Sequence, residues 1–259
     1  MEPRQIEAYL RHPEAFVINT EPEVTSTNTL LKEQARAGAP AGTVLIADRQ
    51  TGGRGSRGRS FFSPHGGLYL SVLLRPETPA AQAVGITVAA AVAGLRAVRD
   101  VWGIDAAVKW VNDLYLNGRK VAGILTEAEP DPETNALRWA VVGIGFNVTP
   151  PEGGFPPELQ TVAGALRKTA EPEERAKLAA AFLDRLYEAL RAPKGSVVEE
   201  YRAHSYLTGR RVMSLNGAFP GSALVLGVDD DARLLVRTDD GAAAALSSGE
   251  VRLAPDAEG

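Results

Sequence analysis

Cysteine is absent from this chain of 259 residues, and histidine occurs only three times. Without cysteine there can be no disulfide bond, no thiolate-bound metal and no thiol nucleophile. The histidines (His12, His65 and His204) show neither HxxxH nor HExxH spacing, so a histidine metal centre is not expected. Residues 1–20 also lack the apolar segment of a signal peptide, which predicts a cytoplasmic protein.

The chain also has no excess of basic residues, because it contains 28 lysines and arginines and 32 aspartates and glutamates. A nucleic-acid-binding domain usually carries a basic surface, so no nucleic-acid partner is expected. The longest apolar stretch, residues 80–98, is mostly alanine and is interrupted by Gln82, Thr87 and Arg96. It predicts a buried helix rather than a membrane span, and therefore no membrane association. The chain is long enough for one large domain and one small domain.

The most informative stretch that is present runs QTGGRGSRGRSFFSPHGGLYLSVLL over residues 50–74. It overlaps residues 49–62, here called the arginine loop, which carries Arg49, Arg54, Arg57 and Arg59. Glycines let a backbone approach a ligand closely, and guanidinium groups match carboxylate or phosphate oxygens in pairs. The pattern is not the P-loop GxxxxGK[ST]. A solvated basic loop would fit the composition too. The glycines and arginines alternate on a short loop that is anchored to a strand, however, and this favours anion binding.

Periodicity and turn residues predict an α+β fold with a mixed, mainly antiparallel sheet packed by helices. An N-cap cluster at residues 25–28 begins a helix that ends at Gly38. Asn117-Gly118 indicates a hairpin turn. Strands are predicted at 43–48, 67–74, 106–110, 113–116, 119–129 and 137–148. Further helices are predicted at 80–100, 158–168, 172–191 and 196–207.

The pattern changes at Gly209, after which short apolar stretches alternate with NG, DDD and DDG turns. Evenly spaced short strands are typical of a small closed or half-closed β-barrel. We therefore expect a ligand-binding domain over residues 1–207 and a small barrel over residues 208–259.

Three further segments combine polar side chains or paired glycines at strand ends: residues 109–113, 119–125 and 143–147. Each has an ordinary alternative, since Lys120 could be a solvated hairpin lysine and Asn112-Asp113 a plain turn. The glycine pair at 143 and 145 could simply reflect close packing in a sheet. Their joint occurrence with the arginine loop indicates one shared ligand site.

Together these segments resemble the catalytic domain of the biotin protein ligase family. The matching stretches are TSTN (25–28), the arginine-loop segment (50–74), KWVNDLYLNGRKVAGILTE (109–127) and VVGIGFNV (141–148). Their order and spacing fit, and the resemblance covers nearly the whole chain. It implies a class II synthetase-like catalytic domain followed by a small SH3-like β-barrel, in a form without an N-terminal DNA-binding domain.

The resemblance implies a two-step, ATP-dependent ligation with Mg²⁺. Biotin and ATP would give biotinyl-5′-AMP and pyrophosphate, and a lysine of a carrier domain would then take the biotinyl group. The expected partner is the biotin carboxyl carrier protein domain of acetyl-CoA carboxylase or a related carboxylase, and a homodimer is compatible with the resemblance. Cations suit this chemistry because the biotin carboxylate and the triphosphate repel each other.

The resemblance also implies roles for individual residues. The catalytic residues would be Lys120, Arg54 and Arg59. Biotin would be bound by Ser26, Thr27, Asn28, Gln50, Gly53, Arg54, Gly55, Ser56, Lys120, Gly123 and Leu125. The nucleotide would be bound by Arg57, Arg59, Phe61, Lys109, Asn112, Asp113 and Asn147. Asp113 would orient Lys120 or lie near the magnesium ion.

Two positions depart from the usual family pattern. Ser56 stands where the family usually has a second arginine, and Phe61 stands where it usually has tryptophan. The serine removes a cation near the phosphate of the adenylate, which predicts weaker retention of that intermediate. Phe61 keeps an aromatic face of smaller area.

Three alternatives remain at the level of sequence. The first is a lipoate or octanoyl ligase or transferase on the same scaffold, although those relatives usually lack the joined motifs. The second is a biotin-sensing transcription regulator, but residues 1–24 are too few for a helix-turn-helix module. The third is a non-enzymatic nucleic-acid binder, which the acidic net charge of −4 disfavours.

Overall fold

The computed structural model describes residues 1–255. Its α-helices are α1 (Pro3–Glu7), α2 (Thr27–Arg36), α3 (Val84–Trp102), α4 (Pro172–Ala189) and α5 (Lys194–Ala203). Its first seven strands are β1 (Val17–Glu21), β2 (Thr43–Ala47), β3 (Leu68–Leu74), β4 (Ala107–Lys109), β5 (Asp113–Leu116), β6 (Arg119–Pro130) and β7 (Leu137–Phe146). The remaining strands are β8 (Arg211–Ser214), β9 (Ser222–Val228), β10 (Leu234–Thr238), β11 (Ala243–Leu246) and β12 (Val251–Leu253).

The first seven strands form one sheet in the order β1-β2-β3-β7-β6-β5-β4. Strands β1 and β2 are parallel, and every other neighbouring pair is antiparallel. The predicted mixed, mainly antiparallel sheet is therefore confirmed. The edge strand β1 and the short helix α1 were not predicted, because neither contains a sustained apolar period.

The two faces of this sheet are covered differently. Alternate residues such as Val72, Val142 and Ile144 belong to the main core that includes α3 and α4. The opposite face carries Leu73 and Val141, which pack with Leu31 of α2. Side chains alternate between faces along a strand, so a one-residue offset separates the two cores. Helix α2 covers part of this second face and leaves the rest open.

Helix α3 is long and apolar enough, by length and composition alone, to cross a membrane over Ala80–Trp102. Its alanine-rich residues are mostly buried, from Ile86 to Val98, and they belong to the same core as the sheet and α4. It is the buried core helix that the sequence predicted.

The helix predicted over residues 158–168 is wrong. Only Pro157–Leu159 form a short 3₁₀ turn, and the following backbone runs beside the sheet. The Lys120 amide donates to the Val162 carbonyl over 2.8 Å, and the Leu166 amide donates to the Asn147 carbonyl over 2.9 Å. Local bonds end at the Ala163 amide, and long-range bonds follow from there; Gly164 further weakens helix formation.

The C-terminal strands form a separate five-stranded antiparallel sheet in the order β11-β10-β9-β8-β12. This sheet fits the predicted small β domain, whose exact boundary at residue 207 stays a prediction. It contacts the larger sheet region through Trp110, whose indole N–H donates to the Ala232 carbonyl over 2.8 Å. Arg202 of α5 also donates to the Val228 carbonyl over 2.5 Å. The two sheets are thus joined by buried or partly buried polar contacts.

Candidate ligand-binding site

One row of cross-strand partners forms the floor of the candidate site. Lys109 pairs with Asp113, Asp113 with Gly123, Gly123 with Gly145, and Gly145 with Tyr69. Directly paired residues share a face of a sheet. The sheet therefore places a lysine, a carboxylate and two side-chain-free positions in line on the face that α2 leaves open.

The glycines of this floor make room for side chains from other elements. A Cβ built at Gly143 would lie 2.0 Å from Asn28 Oδ1, and one at Gly145 would lie 2.5 Å from the Phe61 ring. At Gly123 it would lie 2.9 Å from the same ring. A side chain at any of these three glycines would displace Asn28 or Phe61, so the glycines make room where those two side chains approach the sheet. Close packing and a ligand site, which the sequence left as alternatives, coincide here.

A buried hydrogen-bonding pocket lies at the N-terminus of α2. The Ser26 hydroxyl caps the helix by accepting from the Thr29 amide, as the N-cap cluster predicts. The Thr27 amide donates to Gln50 Oε1 over 2.8 Å. The Ser71 hydroxyl lies within 2.7 Å of Thr27 Oγ1 and 2.6 Å of Asn28 Oδ1. These uncharged groups hold one another in fixed positions.

Glu127 connects this pocket to the arginine loop. Its carboxylate accepts from Asn28 over 3.1 Å, from Lys32 over 2.5 Å and from Arg54 over 3.1 Å. Burial alone would raise the pKa of Glu127, but the hydrogen bonds from Lys32 and Asn28 outweigh it, so its pKa lies below the ordinary value. A fixed negative charge therefore holds Arg54 over the pocket.

Lys120 and Lys109 lie near the same row of the sheet but have different partners. Lys120 Nζ lies 2.7 Å from Asp113 Oδ1 and 5.5 Å from the centre of the Phe61 ring. Lys109 Nζ lies 3.4 Å from the Tyr115 hydroxyl. Burial lowers the pKa of Lys109 below its ordinary value, and Lys120 adds to that shift while Asp113 opposes it. Lys109 therefore loses its proton more readily than a solvated lysine does.

The arginine loop is held in place by its own backbone and by the C-terminal sheet. Arg57 has a left-handed conformation, with φ of 59°, next to Gly58 with φ of 75°. The Arg59 side chain donates to the Ser56 carbonyl over 3.4 Å and to the Ser56 hydroxyl over 3.2 Å. It also forms an ion pair with Glu250, which directly precedes β12. The loop thus bridges the two sheets.

Most of these groups line one cavity of about 870 Å³, but Ser71 and Glu127 are not among its lining residues. Every residue to which the resemblance assigned a role lines it, from Ser26 to Asn147. The cationic side chains on its walls are Arg49, Arg54, Arg57, Arg59, Lys109, Lys120 and Arg252. The anionic ones are Asp113, Glu158 and Glu250. The cavity is therefore strongly cationic within a chain whose net charge is −4.

Two residues that were predicted to bind the nucleotide donate hydrogen bonds from their side-chain amides to the protein backbone. Asn112 Nδ2 donates to the Ile124 carbonyl over 2.6 Å. Asn147 Nδ2 donates to the Gly164 carbonyl over 3.0 Å and to the Lys120 carbonyl over 3.3 Å. In this state both asparagines brace the strand that carries Lys120, and their assignment to the nucleotide stays a prediction.

Sequence reasoning missed three residues of the site: Ser71, Glu127 and Glu250. Ser71 and Glu127 lie inside stretches that were matched as strands, and alternation was a signal that Glu127 shares a face of the sheet with Leu125. Glu250 follows a glycine in the C-terminal segment, which holds no matched motif. Nothing in the sequence indicated that this segment reaches the ligand cavity.

A magnesium ion would have few protein ligands here. Within residues 1–255 no group of three or more acidic or histidine side chains could hold a metal. Magnesium commonly binds through one or two carboxylates together with substrate phosphates. Asp113 is a carboxylate on the cavity wall, although Lys120 already pairs with it. The donor set fits an ion that arrives with a triphosphate.

Comparison with known proteins identifies relatives of this architecture. The model of the Biotin/lipoate A/B protein ligase family matches residues 21–147. The bifunctional ligase/repressor BirA of Bacillus subtilis is 36% identical over 227 residues, which cover 84% of this chain and 68% of that relative. The biotin--[acetyl-CoA-carboxylase] ligase of Mycobacterium tuberculosis is 32% identical over 236 residues, covering 87% of this chain and 85% of the relative.

The fold agrees with these relatives. A solved structure of the biotin protein ligase from Aquifex aeolicus in complex with biotin and ATP superposes with a TM-score of 0.74 at 27% identity. The superposition covers 92% of this chain and 98% of that one. The similarity thus extends over both sheets, and the chain belongs to the biotin/lipoate A/B protein ligase family.

Proposed function

We propose that this protein is an ATP-dependent biotin–protein ligase. It converts biotin and ATP into biotinyl-5′-AMP and pyrophosphate, and then transfers the biotinyl group to a lysine of a biotin carboxyl carrier domain. Homologous ligases and a structural relative with bound biotin and ATP support this function.

The observation that carries the proposal is the arrangement of two chemically different regions along one strand. Asn28 of the uncharged pocket donates to the Leu125 carbonyl over 3.2 Å. Gly123, which Lys120 approaches, lies two residues away on the same strand. Two residues span about 7 Å of strand. An uncharged group bound at Asn28 and an anionic group bound at Lys120 can therefore belong to one small molecule.

The uncharged pocket favours biotin over lipoate or octanoate. Thr27, Asn28 and Gln50 line the cavity and offer hydrogen-bond donors and acceptors that a ureido ring can use. An alkyl chain or a dithiolane ring cannot replace those bonds, and a site built for hydrogen bonding rejects such analogues strongly. The biotin reading also agrees with the named relatives.

The cations explain the first step. The biotin carboxylate oxygen attacks the α-phosphorus of ATP, and pyrophosphate leaves with the electrons of the broken bond. Lys120, Arg54 and Arg59 stabilise the negative charge that develops on the phosphoryl oxygens, and Asp113 holds the Lys120 ammonium in place. Magnesium, when bound with the triphosphate, supplies further charge neutralisation.

The second step needs no protein nucleophile. The lysine amine of the carrier attacks the acyl carbon of the mixed anhydride, an amide bond forms, and AMP leaves. The amine gives up its proton in the process. Positioning of the two reactants is then the main catalytic contribution.

The N-terminal residues of the chain pack as part of the fold around the large sheet. Residues 17–21 form β1, which pairs with β2 inside the main sheet, and α1 spans only Pro3–Glu7. We also place the protein in the cytoplasm, where ATP and carrier proteins are both present.

One experiment separates the candidate substrates. The protein is incubated with ATP, Mg²⁺, a biotin carboxyl carrier domain and either biotin, lipoate or octanoate. We expect pyrophosphate release and a mass increase of one biotinyl group on the carrier in the reaction with biotin. We expect neither in the reactions with lipoate or octanoate. Faster reaction with lipoate or octanoate would replace the proposed substrate, and no pyrophosphate release with any acid would reject ligase activity.

A further inference from the structure

Exposed apolar side chains are concentrated at the ligand cavity. Six large apolar side chains in the described part of the chain are exposed: Tyr9, Val17, Phe62, Val162, Leu215 and Leu226. Phe62, Val162 and Leu215 all line the cavity, with 40%, 50% and 50% of their surface exposed. Scattered exposed apolar residues need no explanation, but several that line one cavity commonly mark a binding surface.

These three side chains come from three separate parts of the chain. Phe62 ends the arginine loop, Val162 lies in the segment after the 3₁₀ turn, and Leu215 directly follows β8. Together they are called the apolar rim. Their shared position cannot result from one local apolar stretch, since long-range folding brings them to the same cavity.

Each rim residue is anchored to a residue of the site. The Val162 carbonyl accepts from the Lys120 amide over 2.8 Å. The Leu215 amide donates to the Glu250 carbonyl over 2.8 Å, and the Glu250 carboxylate pairs with Arg59. Phe62 directly follows Phe61, whose ring lies near Gly123 and Gly145. The backbone of the rim is therefore fixed relative to the reacting groups.

We propose that Phe62, Val162 and Leu215 form the docking surface for the lysine-bearing face of the carrier domain. This inference rests on the proposed function, because transfer requires a protein lysine to reach an anhydride inside the cavity. Apolar contacts in the centre of a small interface exclude water and supply much of its affinity.

Charge complementarity specifies the partner further. Seven cationic and three anionic side chains line the cavity around the rim. The carrier's lysine is itself cationic until it is deprotonated, so its approach is opposed unless neighbouring groups of the partner are acidic. The occupant of the rim is therefore a folded domain with one lysine on an apolar surface flanked by acidic side chains.

The fold supplies matched control residues. Leu226 lies on the C-terminal sheet like Leu215 and is 45% exposed, and Val17 is 56% exposed like Val162. Tyr9 is 39% exposed and corresponds to Phe62 in size. These three control side chains do not line the cavity.

The test compares the triple variant Phe62→Ser, Val162→Ser and Leu215→Ser with the control Tyr9→Ser, Val17→Ser and Leu226→Ser. For each, three rates are measured: biotin-dependent pyrophosphate release, reaction of the adenylate with hydroxylamine, and biotinylation of the biotin carboxyl carrier domain of acetyl-CoA carboxylase. Hydroxylamine needs no docking surface, so a docking defect lowers only the rate with the carrier. A general folding defect lowers all three rates.

We expect the rim variant to lose about tenfold or more in kcat/KM for the carrier, beyond any loss in the other two rates. The control variant should keep all three rates close to those of the wild type. Equal carrier transfer by the rim and control variants would overturn the inference. A second result would also overturn it: a dimeric wild type and a monomeric rim variant that biotinylate the carrier at the same rate. The rim would then be a contact between copies of this chain. A wild type that releases no pyrophosphate would instead reject the proposed function.

Discussion

Arg59 of the arginine loop and Glu250 of the C-terminal sheet form an ion pair across the candidate cavity. Arg59 is 56% exposed and Glu250 30% exposed at the side chain, so the pair is partly screened by solvent. A pair of this kind contributes up to about 1 kcal/mol. A triphosphate that recruits Arg59 must compete with the carboxylate.

Glu250→Gln should therefore strengthen nucleotide binding. We expect the KM for ATP to fall by about two- to fivefold, with the KM for biotin unchanged, because Arg59 is released and a nearby anion is removed. Steady-state pyrophosphate release measures both constants. Glu158→Gln is the matched control, since Glu158 lines the same cavity and makes no ion pair within residues 1–255. An unchanged or higher KM for ATP in Glu250→Gln would contradict the competition.

Lys120→Ala should lower adenylate formation far more than biotin binding. A cation that meets charge developing on the α-phosphate acts mainly in the transition state. We expect pyrophosphate release to fall by about a hundredfold or more, with the Kd for biotin changed by less than about tenfold. Arg119→Ala controls for disturbance of the hairpin, because Arg119 does not line the cavity. A rate within about threefold of wild type would remove the role given to Lys120.

Lys109 predicts proton uptake when the nucleotide binds. Its lowered pKa means that part of the Lys109 population is neutral at a pH between that lowered pKa and the ordinary 10.5. The charged groups near it are Asp113, Lys120, Glu250 and Arg59, and the Tyr115 hydroxyl also lies within 3.4 Å. A nearby triphosphate favours the charged form and raises the pKa, so protons are taken up in this alkaline range.

Calorimetry of ATP binding in two buffers with different ionisation enthalpies measures that uptake. Lys109→Arg should show less uptake, because a guanidinium stays protonated throughout the range. Lys109→Met should bind ATP more weakly and also show less uptake. Equal uptake by wild type and Lys109→Arg would assign the proton to another group.

Ser56→Arg should lengthen retention of biotinyl-5′-AMP. A charge-assisted hydrogen bond contributes about 1.5–3 kcal/mol, which corresponds to about tenfold or more in the off-rate. The wild type should release the adenylate comparatively fast and label exposed lysines without selecting a carrier. Adenylate dissociation, followed after removal of excess biotin and ATP, tests both statements.

Ser56→Ala is the control for this change, because it removes the hydroxyl that accepts from Arg59 without adding a cation. If only the hydroxyl matters, Ser56→Ala and Ser56→Arg will change the half-life alike. If Arg57 or Arg59 already supplies the missing charge, wild type and Ser56→Arg will have the same half-life.

The sequence predicted most of the large sheet, because its strands have clear apolar patterns and end at strong turn signals. Its motifs also lie at strand ends or on the face with glycines, which is why the residues they named line one cavity. These features depend on local patterns that a single sequence contains.

The features that were missed depend on contacts between distant residues. The segment after Pro157 has helix-compatible side chains, but its amides and carbonyls bond to Lys120 and Asn147 instead. Glu250 reaches the cavity only because the C-terminal sheet packs beside Trp110. Gly164 is a local signal against the helix, but neither long-range contact has one, so spacing and composition could not predict either contact.

The cavity wall has a consequence for how this family can diversify. Its lining combines Arg59 and Lys120 with Leu215 and Glu250, which lie on the other side of the expected boundary at residue 207. A chimera joining residues 1–207 of this chain to the C-terminal segment of a relative would exchange part of its own ligand wall. The two segments should accordingly be inherited as a unit, and substitutions at positions 59 and 250 should accompany each other across related chains.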